Sequence, residues 1–417
     1  MGFGGQAEVA YVQSLFRAYY QKGYSNPYIP PQMERREYGY MLFGQRTMVR
    51  HLSLKDPSQL LDLLKNVAPA HVYRSAAIYH YPSAPMEEKG WIGADLIFDI
   101  DADHLETPCK ASHDFRLCTS CGLRVSSDRC SGCGSDQLED VKWVCDICLE
   151  GARAELIKLL EFMEVDLGIR RESMVVSFSG NRGYHLAVYD ERFLGLGREE
   201  RQEIVEYLTG ANMDPSLHGL EAGLEPGEGP DYSDHGWRGR IARQSYTILS
   251  RLARGDEKTV KALEGLLGHR IVQSLKTSED FWRERPRWDL LGGRAETRAK
   301  ALKALVALSV ESEKTHIDTV VTTDIHRLLR MADTLNGKTG LKASTIPVER
   351  VEEYDPLREA VAIPAHPETR IRIAYAPRFR LGEEEYGPYS DEEAKLPAFA
   401  ASYLICRGVA RLAERRR

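Results

Sequence analysis

The chain has 417 residues, of which 42% are hydrophobic and 28% are charged. This composition indicates a globular protein of two or three domains and excludes a chain that is disordered throughout. The net charge of −6 excludes a uniformly basic nucleic-acid-binding surface, although segments 238–255 and 369–381 contain arginines without acids. With no apolar run of about 20 residues and no secretory signal at the N-terminus, we expect a cytoplasmic protein without membrane contact.

The first half of the chain shows alternating helical and strand patterns. Apolar residues at helical spacing predict helices over 6–22 and 151–167. Residues 35–54 are typical of a β-hairpin, and residues 94–100 of a short buried strand. Two further strands, MVVSFS and YHLAVYD, are joined by GNRG. This order favours an α/β or α+β catalytic core.

The second half is mostly helical at first. Residues 198–310 have helical patterns and predict a helical insertion. Residues 315–346 show a strand-like and then a helical pattern that ends in GKTG, and residues 369–381 alternate as a strand. The C-terminal residues are predicted to form an exposed acidic loop over 383–393 and an amphipathic helix with a basic end over 394–417.

Seven of the eight cysteines lie between Cys109 and Cys148 and include three CxxC pairs. Both thiolates of a CxxC turn converge on one ion, and structural zinc takes four such ligands. With His113, these cysteines provide eight ligands, enough for two closed structural zinc sites. The predicted sites are Cys109, His113, Cys145 and Cys148 for one ion, and Cys118, Cys121, Cys130 and Cys133 for the other.

Other arrangements of this cysteine-rich module stay open at this point. Seven cysteines also suit a disulfide framework, which a reducing cytosol disfavours, or iron–sulfur ligation. A cross-braced zinc arrangement would pair Cys118 and Cys121 with Cys145 and Cys148. His104 is an alternative to His113 as the single imidazole ligand.

Asp99 and Asp101 end the predicted strand in LIFDIDADH. Residues i and i+2 of a strand point to the same face, so two carboxylates are held close together there. They repel each other unless a cation lies between them, and magnesium or manganese is the natural ligand of such oxygens. A solvated acidic turn is the structural alternative.

The segment SGNRGYH joins two predicted strands and contains Ser179, Arg182 and His185. Its two glycines permit a tight turn with close approach of a ligand. The hydroxyl, the fixed charge of Arg182, and an imidazole that can carry a proton near neutrality are suited to a phosphate chain. An ordinary hairpin turn is the alternative.

A third candidate segment covers residues 318–340. Asp318 opens a β-branched run, Arg327 and Arg330 are predicted one turn apart on the following helix, and Lys338 lies in GKTG. The segment is not a Walker A motif, because the position of that motif's first glycine is Ala332. A capped helix with solvated arginines is the alternative.

Taken in order, these motifs resemble those of the small, catalytic subunit of archaeal and eukaryotic DNA primases, with archaeal members most similar. The matching segments are REYGYMLFG, DLIFDIDADH, the Cys/His module that closes with CDICLEGA, SGNRGYH, and DTVVTTDIHRLLR followed by GKTGL. The resemblance spans about residues 30–345. It implies a mixed-sheet α/β primase core (1–108, 149–197 and 313–382), an inserted zinc-binding module (109–148), a helical insertion (198–312) and a C-terminal segment (383–417).

The resemblance also implies a function, namely synthesis of short primers from nucleoside triphosphates on single-stranded DNA in DNA replication. By position, Asp99, Asp101 and Asp318 would hold two magnesium or manganese ions. Ser179, Arg182 and His185 would bind the incoming triphosphate. Arg327, Arg330 and Lys338 are candidates for further triphosphate or template contacts, and Arg50 and His51 are expected to line the same cleft. The implied partner is an iron–sulfur large subunit in a heterodimer.

The chain departs from the family pattern at two places. The second zinc knuckle is an addition whose role the resemblance does not give, and Asn336 stands where the family often has histidine. Two other functions stay open: a related primase-polymerase in DNA repair, and a non-catalytic zinc-ribbon scaffold that binds nucleic acid. The presence of Asp99, Asp101 and Asp318 disfavours the scaffold.

Overall fold

The N-terminal helix is present as predicted. In the computed structural model, which describes residues 5–22, 27–220, 224–225, 227–291 and 294–413, helix α1 is Gln6–Lys22. Its side chains Val12, Phe16 and Tyr20 are buried and, at four-residue spacing, share one face. The Tyr20 hydroxyl accepts a hydrogen bond of 3.0 Å from the backbone N–H of Leu335. This bond ties α1 to the segment that leads into GKTG.

The other helices of the described chain confirm most of the helical predictions. They are α2 (Pro57–Val67), α3 (Lys110–His113), α4 (Asp146–Glu161), α5 (Glu191–Leu194), α6 (Arg198–Thr209), α7 (Gly236–Ala253), α8 (Glu257–Leu267), α9 (His269–Leu275), α10 (Glu279–Trp282), α11 (Ala295–Glu313), α12 (Thr319–Thr323), α13 (Pro356–Glu359) and α14 (Ala398–Cys406). The helix predicted over 151–167 begins earlier, as α4, and ends in a π-helical turn, Phe162–Asp166.

The strands of the described chain are short. They are β1 (Glu37–Met41), β2 (Met48–Ser53), β3 (His71–Ser75), β4 (Ala77–Tyr79), β5 (Trp91–Ala94), β6 (Leu96–Asp101), β7 (Phe115–Cys118), β8 (Arg124–Val125), β9 (Leu138–Val141), β10 (Met174–Phe178), β11 (Gly183–Val188), β12 (Leu328–Arg330), β13 (Thr345–Ile346), β14 (Thr369–Ala376), β15 (Phe379–Leu381), β16 (Glu384–Tyr386), β17 (Tyr389–Leu396) and β18 (Ala410–Leu412).

Two four-stranded antiparallel sheets carry the predicted hairpins. The first has the order β12-β3-β1-β2, and β1 with β2 forms the hairpin predicted over 35–54. The second has the order β13-β10-β11-β6, and β10 with β11 forms the hairpin around GNRG. All of β11 is buried, whereas β6 is an edge strand. The mixed α/β fold class is confirmed.

Two three-stranded sheets and the two-stranded sheets β4-β5 and β15-β16 complete the strand-rich part of the described chain. The cysteine-rich module contains the sheet β8-β7-β9, and the C-terminal part contains the sheet β17-β14-β18. The described chain divides into two compact units. The first consists of Met1–Ile157, Arg170–Gln202 and His316–Arg417, and the second of Lys158–Ile169 and Glu203–Thr315. The first unit holds every sheet and both cysteine sets, whereas the second is helical.

The C-terminal predictions need two corrections. Residues 383–393 do not form an acidic loop but lie largely in β16 and β17, which pair with β15 and β14. Pairing with an apolar neighbour outweighs the low strand propensity of acidic residues, whose side chains stay exposed on an edge strand. The helix predicted over 394–417 is only α14, almost wholly buried rather than amphipathic, and β18 follows it. Residues 414–417 lie outside the described residues.

Membrane contact was not expected from the sequence. In the described part of the chain, no helix is both long enough and apolar enough to span a bilayer.

Candidate active site and cysteine-rich module

The two acids of the DxD motif lie on one face at the end of β6. Ile100, between Asp99 and Asp101, is buried on the opposite face. In the antiparallel pair with β11, Asp99 stands opposite His185 and Asp101 stands opposite Gly183. Because β6 is an edge strand, both carboxylates remain partly exposed. The predicted alternation is therefore present, and it brings the acids next to the SGNRGYH segment.

Two glycines make this close approach possible. A Cβ atom on Gly183 would lie 1.9 Å from the backbone oxygen of Ile100, so no side chain fits there. Gly180 has a φ of +73°, and a Cβ atom on it would lie 2.9 Å from the Cβ of Asn336. Both positions therefore require glycine, one for close strand packing and one for a left-handed turn.

His185 forms a polar contact with Asp99 across the strand pair. The His185 Nε2 atom lies 3.5 Å from Asp99 Oδ1. Burial, followed by the nearby Arg330 cation, lowers the pKa of His185 to about 3. The imidazole is therefore uncharged at neutral pH, and the expectation that it carries a proton near neutrality is wrong.

Asp99 lies near two other carboxylates. Burial first, and then the carboxylates of Asp101 and Asp318, raise the pKa of Asp99 to about 7. A divalent cation with oxygen ligands would relieve this repulsion.

Asp318 has two structural contacts at the start of α12. Its backbone N–H donates to the backbone oxygen of Asp99 at 2.8 Å, and its carboxylate accepts from the N–H groups of Val320 and Val321 at 3.0 and 3.3 Å. The carboxylate is thus the N-cap of α12. The three aspartates are neighbours but not a tight cluster, because within the described residues only the two cysteine sets have ligand atoms all within 4.8 Å.

Ser179 and Arg182 have partners within the turn. The Ser179 hydroxyl accepts from the N–H groups of Asn181 and Gly183 at 3.3 and 3.2 Å, which holds the turn in shape. Arg182 forms an ion pair with Asp103, and its Nε lies 3.8 Å from Asp101 Oδ1. Asp103 was not among the predicted site residues, although the alternation of LIFDIDADH pointed to it.

Asn336 connects this turn to the GKTG segment. Its Nδ2 donates to the backbone oxygen of Ser179 at 2.9 Å, and its Oδ1 accepts from the N–H of Lys338 at 2.9 Å. The Thr339 hydroxyl donates to the backbone oxygen of Gly180. The amide at the position where histidine is frequent therefore joins two loops of the site.

The segment from Asp318 to Arg330 folds in the reverse of the predicted order. The β-branched run is helix α12, which Asp318 caps, and the residues predicted as helix contain strand β12, which pairs with β3. Hydrogen bonding to an existing sheet edge outweighs the local helical pattern. Arg327 and Arg330 therefore do not lie one turn apart on a helix, since Arg327 precedes β12 and Arg330 ends it.

Two residues of β3 that were not predicted support Arg330. Its Nη1 lies 2.9 Å from His71 Nδ1, and its guanidinium lies 5.2 Å from the ring centroid of Tyr73. The Gly337 N–H donates to the same Nδ1 at 3.3 Å. Burial and the Arg330 cation lower the pKa of His71 to about 2, so its Nδ1 is a neutral acceptor. The only sequence signal was their i, i+2 spacing in HVYRS.

These elements surround a cleft of about 270 Å³. The predicted residues that line it are Asp99, Asp101, Ser179, His185, Arg327, Arg330 and Lys338; the lining residues that were not predicted include Tyr73, Asn181 and Asn336. Arg182 and Asp318 adjoin these residues but are not part of the lining. The cleft therefore brings two carboxylates together with three cationic side chains.

Arg50 and His51 do not line this cleft. The buried carboxylate of Glu37 accepts from Arg50 Nε and from the His51 backbone N–H, each at 3.1 Å. Their role in the structure is to neutralise and cap that carboxylate.

The cysteine-rich module brings its ligands together in the two predicted sets. Within each set, the ligand atoms all lie within 4.8 Å of one another; the sets are Cys109, His113, Cys145 and Cys148, and Cys118, Cys121, Cys130 and Cys133. Neither the cross-braced pairing nor His104 matches this grouping.

The distances within each set fit a tetrahedral zinc ion. Two sulfurs bound to zinc at 2.3 Å are about 3.8 Å apart, and the Sγ atoms of Cys118 and Cys133 are 3.6 Å apart. In the other set, Cys148 Sγ lies 3.4 Å from Cys109 Sγ and 3.2 Å from His113 Nε2. Thiolate and imidazole donors at this spacing are the ligands that structural zinc prefers.

Comparison with known proteins gives consistent matches. A family described as DNA primase small subunit matches residues 134–347. The chain is 35% identical to the DNA primase small subunit PriS of Cenarchaeum symbiosum, with 95% of this chain and 96% of that protein covered. It is 30% identical to the protein of the same name from Nitrosopumilus maritimus, with 98% and 100% covered. Identity to that from Methanothrix thermoacetophila is 32%, with 96% and 98% covered.

Proposed function

Because this chain belongs to the archaeal-type DNA primase small subunits, which are DNA-directed nucleotidyltransferases, we propose that it synthesises short primers de novo from nucleoside triphosphates on single-stranded DNA during replication. The observation that carries the proposal is the cleft in which Asp99 and Asp101 meet Arg327, Arg330 and Lys338. Nucleotidyl transfer needs carboxylates that hold metal ions and cations that hold phosphates at one place.

Asp99, Asp101 and Asp318 are the residues that would hold two divalent ions, magnesium or manganese. Carboxylate oxygens are the ligands that these ions prefer. Burial and then the repulsion from Asp101 and Asp318 raise the pKa of Asp99, and that repulsion supports a cation at this point. When bound, such ions activate the attacking 3′ hydroxyl and stabilise the triphosphate and the leaving pyrophosphate.

The chain's own residues would bind and orient the triphosphate. Arg330 is held in place by His71 and Tyr73, so its charge is positioned before substrate arrives. Arg327 and Lys338 add charge in the same cleft. We assign Ser179, Arg182 and His185 to this phosphate-binding turn as well. His185 also orients the carboxylate of Asp99, which it contacts as a neutral imidazole.

We further propose two structural zinc ions in the cysteine-rich module and an iron–sulfur cluster in a separate large subunit. Both zinc sites have four protein ligands, so neither has an open position for catalysis. Outside the two sets, the only remaining cysteine of the sequence is Cys406. An iron–sulfur cluster needs several cysteine ligands and would therefore belong to the partner of the heterodimer.

The domain assignment is also a proposal. It comprises a primase core (1–108, 149–197 and 313–382), a zinc module (109–148), a helical insertion (198–312) and a C-terminal segment (383–417). The second compact unit, Lys158–Ile169 and Glu203–Thr315, supports the separation of a helical insertion from the core.

Primer synthesis by an Asp101→Asn variant tests the function. On single-stranded template with labelled ribo- and deoxynucleotides, we expect wild-type primer synthesis and a loss of about 100-fold or more in the variant, because the amide is a poor metal ligand. The matched control is Asp62→Asn, an exposed position on α2, which we expect to leave synthesis unchanged.

Three outcomes would contradict parts of the proposal. Primer synthesis that survives Asp101→Asn would reject the metal assignment. A wild-type protein that binds template but forms no phosphodiester bond, with or without its large subunit, would instead favour the zinc-ribbon scaffold. Extension of supplied primers without de novo synthesis would favour the repair primase-polymerase.

A further inference from the structure

A second cavity of about 260 Å³ adjoins the active-site cleft. Its walls come from Asn181 and Arg182 of the turn, from Lys338, from residues 139–142 at the end of β9, and from residues 406–408 at the end of α14. Asn181 and Lys338 line both cavities. The two spaces therefore meet at these side chains, but the second has no role in the function proposed above.

Cationic side chains outnumber acids in this second cavity. The cations are Lys142, Arg182, Lys338 and Arg407, and the acids are Glu139 and Asp140. Asp140 accepts a hydrogen bond of 2.9 Å from Arg116 on the neighbouring strand, so its charge is already compensated. Arg182 and Lys142 likewise have ion-pair partners, Asp103 and Asp114. Within the described residues, Lys338 and Arg407 are the cations of the cavity without an ion pair, against the single acid Glu139. The cavity is thus suited to an anion.

Arg407 is the cation of this cavity that comes from the C-terminal segment. Its guanidinium donates to the backbone oxygen of Lys142 at 3.0 Å and to the hydroxyl of Tyr403 at 3.2 Å. It also lies 5.6 Å from the ring centroid of Trp143 and 5.2 Å from that of Tyr403. These neutral partners fix the guanidinium in place without cancelling its charge, and the described residues give it no ion pair.

Two arginine atoms at this cavity lack a hydrogen-bond partner. The Nε atoms of Arg182 and Arg407 are buried and unpaired within the described residues, and the 3.8 Å between Arg182 Nε and Asp101 Oδ1 exceeds a hydrogen bond. Burial and then neighbouring cations, Arg407 among them, also lower the pKa of Lys338. An anion rich in oxygen acceptors would relieve the repulsion between these cations and accept hydrogen bonds from guanidinium groups whose donors are not all used.

We propose that this second cavity is a phosphate-binding subsite, in which Arg407 binds the terminal phosphates of a nucleoside triphosphate together with Arg182 and Lys338. The shared wall at Lys338 lets one polyphosphate chain contact both cavities. The inference rests on the proposed function, because it takes the triphosphate substrate as the ligand. Backbone phosphates of a nucleic acid have the same chemistry and are the competing source.

Equilibrium binding of inorganic tripolyphosphate to the full chain, without template, tests the subsite. We expect Arg407→Gln to weaken tripolyphosphate binding about tenfold, because a charge-assisted contact is lost. The affinity of the variant for a nucleoside triphosphate should fall by a similar factor, whereas its affinity for a nucleoside monophosphate should hardly change. Arg407→Lys should bind tripolyphosphate more tightly than Arg407→Gln, since lysine keeps the charge. A purely structural role of Arg407 would not predict this difference.

Arg411→Gln is the matched control. Arg411 is an exposed residue of β18 and does not line the second cavity, so we expect its variant to bind tripolyphosphate as the wild type does. Equal tripolyphosphate affinity in Arg407→Gln and wild type would overturn the inference. Weakened binding of a single-stranded oligonucleotide with unchanged tripolyphosphate affinity would also overturn it and assign the phosphates to a nucleic-acid backbone.

The result can be separated from failure of the proposed function. Tripolyphosphate binding needs neither template nor catalysis, so a chain that binds it through Arg407 but makes no primers contradicts the function alone. If Arg407→Gln does not fold, Arg407→Lys supplies the comparison, and a triphosphate-to-monophosphate affinity ratio equal to that of the wild type would then contradict the subsite.

Discussion

Asp318 is a residue whose charge and whose hydrogen bonds have separate roles. Its carboxylate caps α12 through Val320 and Val321, and it is also a proposed metal ligand. Asparagine caps helices about as well as aspartate, whereas alanine does not. The two roles can therefore be separated by substitution.

We predict that Asp318→Asn reduces primer synthesis about 100-fold or more while the free energy of unfolding stays within about 0.5 kcal/mol of the wild type. Asp318→Ala should lose the same activity and in addition destabilise the protein by about 1 kcal/mol, since the cap is lost. Activity assays and denaturant unfolding measure the two effects. Full activity of Asp318→Asn would show that its carboxylate is a cap only.

His71 is a buried histidine that only the structure connects to the site. Because its folded pKa of about 2 lies below the ordinary value of about 6.5, the unfolded state binds more protons between these values. Its contribution to stability is therefore complete above about pH 6.5 and is lost as the pH falls below it, by at most about 1.4 kcal/mol per pH unit.

We predict that His71→Gln unfolds with a shallower acid dependence than the wild type between pH 6.5 and 5. Denaturant unfolding at several pH values measures the slope, and the exposed His80→Gln variant should keep the wild-type slope. Identical slopes for His71→Gln and the wild type would mean that the pKa of His71 is the same in the folded and unfolded protein, which would contradict the prediction. Triphosphate binding should also weaken, since Arg330 loses its support.

At the scale of elements, the second cysteine set is built from two matching turns. The Gly122 N–H donates to the backbone oxygen of Cys118, and the Gly134 N–H to that of Cys130, each at 2.8 Å. The knuckle also contacts β14, where the Arg124 guanidinium lies 4.6 Å from the ring centroid of Tyr375 and donates to its hydroxyl at 2.8 Å. The inserted knuckle therefore supports the C-terminal sheet.

We predict two zinc ions per chain in the wild type and one in a Cys130→Ser, Cys133→Ser double variant, because each set closes around its own ion. Metal analysis of the purified protein gives the stoichiometry, and Cys406→Ser should still contain two. Loss of both ions in the double variant would mean that the two sites do not bind metal independently, and one ion in the wild type would refute the two-site assignment.

At the scale of the whole molecule, charges that look unopposed along the sequence are paired in space. Arg372 and Arg380 belong to a segment without acids, yet Arg372 pairs with Asp391, and Arg380 with Asp146 and Asp355. The positive charge of segment 369–381, which contains arginines but no acids, is therefore partly neutralised. Counting charges along a segment fails here because folding brings acids from distant parts of the chain next to these arginines.

The second compact unit contains a similar case at Arg240. This buried side chain pairs with Asp166 and with Glu313, each at 3.1 Å, and its guanidinium lies 3.8 Å from the ring centroid of Phe162. The residue lies in one of the segments that the sequence showed as unopposed arginines. Its charge is thus internal to the unit and does not contribute to a nucleic-acid surface.

We predict that Arg240→Met destabilises the second unit by about 3–5 kcal/mol, because the buried Asp166 loses its cationic partner. Denaturant unfolding followed by tryptophan fluorescence measures the change, and the exposed Arg251→Met on the same helix should differ little from the wild type. Zinc content should stay at two. An Arg240→Met variant as stable as the wild type would mean that the pair contributes no net stability.

Several features followed from the sequence alone. The i, i+2 spacing of Asp99 and Asp101, the CxxC spacings and the hairpin around GNRG depend on near neighbours in the chain, and local geometry decides them. The order of the motifs along the chain also indicated the family. These parts of the fold and of the site were predictable.

Other features depended on contacts between residues far apart in sequence. The strand β12 forms because β3 offers it an edge, and the neutrality of His185 and the support of Arg330 by His71 come from burial among distant segments. The role of Asn336 as a link between two loops and the second cavity at Arg407 arise in the same way. The sequence by itself determined which chemical groups are present and their local spacing, whereas only the tertiary structure decided their partners, charge states and shared cavities, because burial and long-range pairing set those properties.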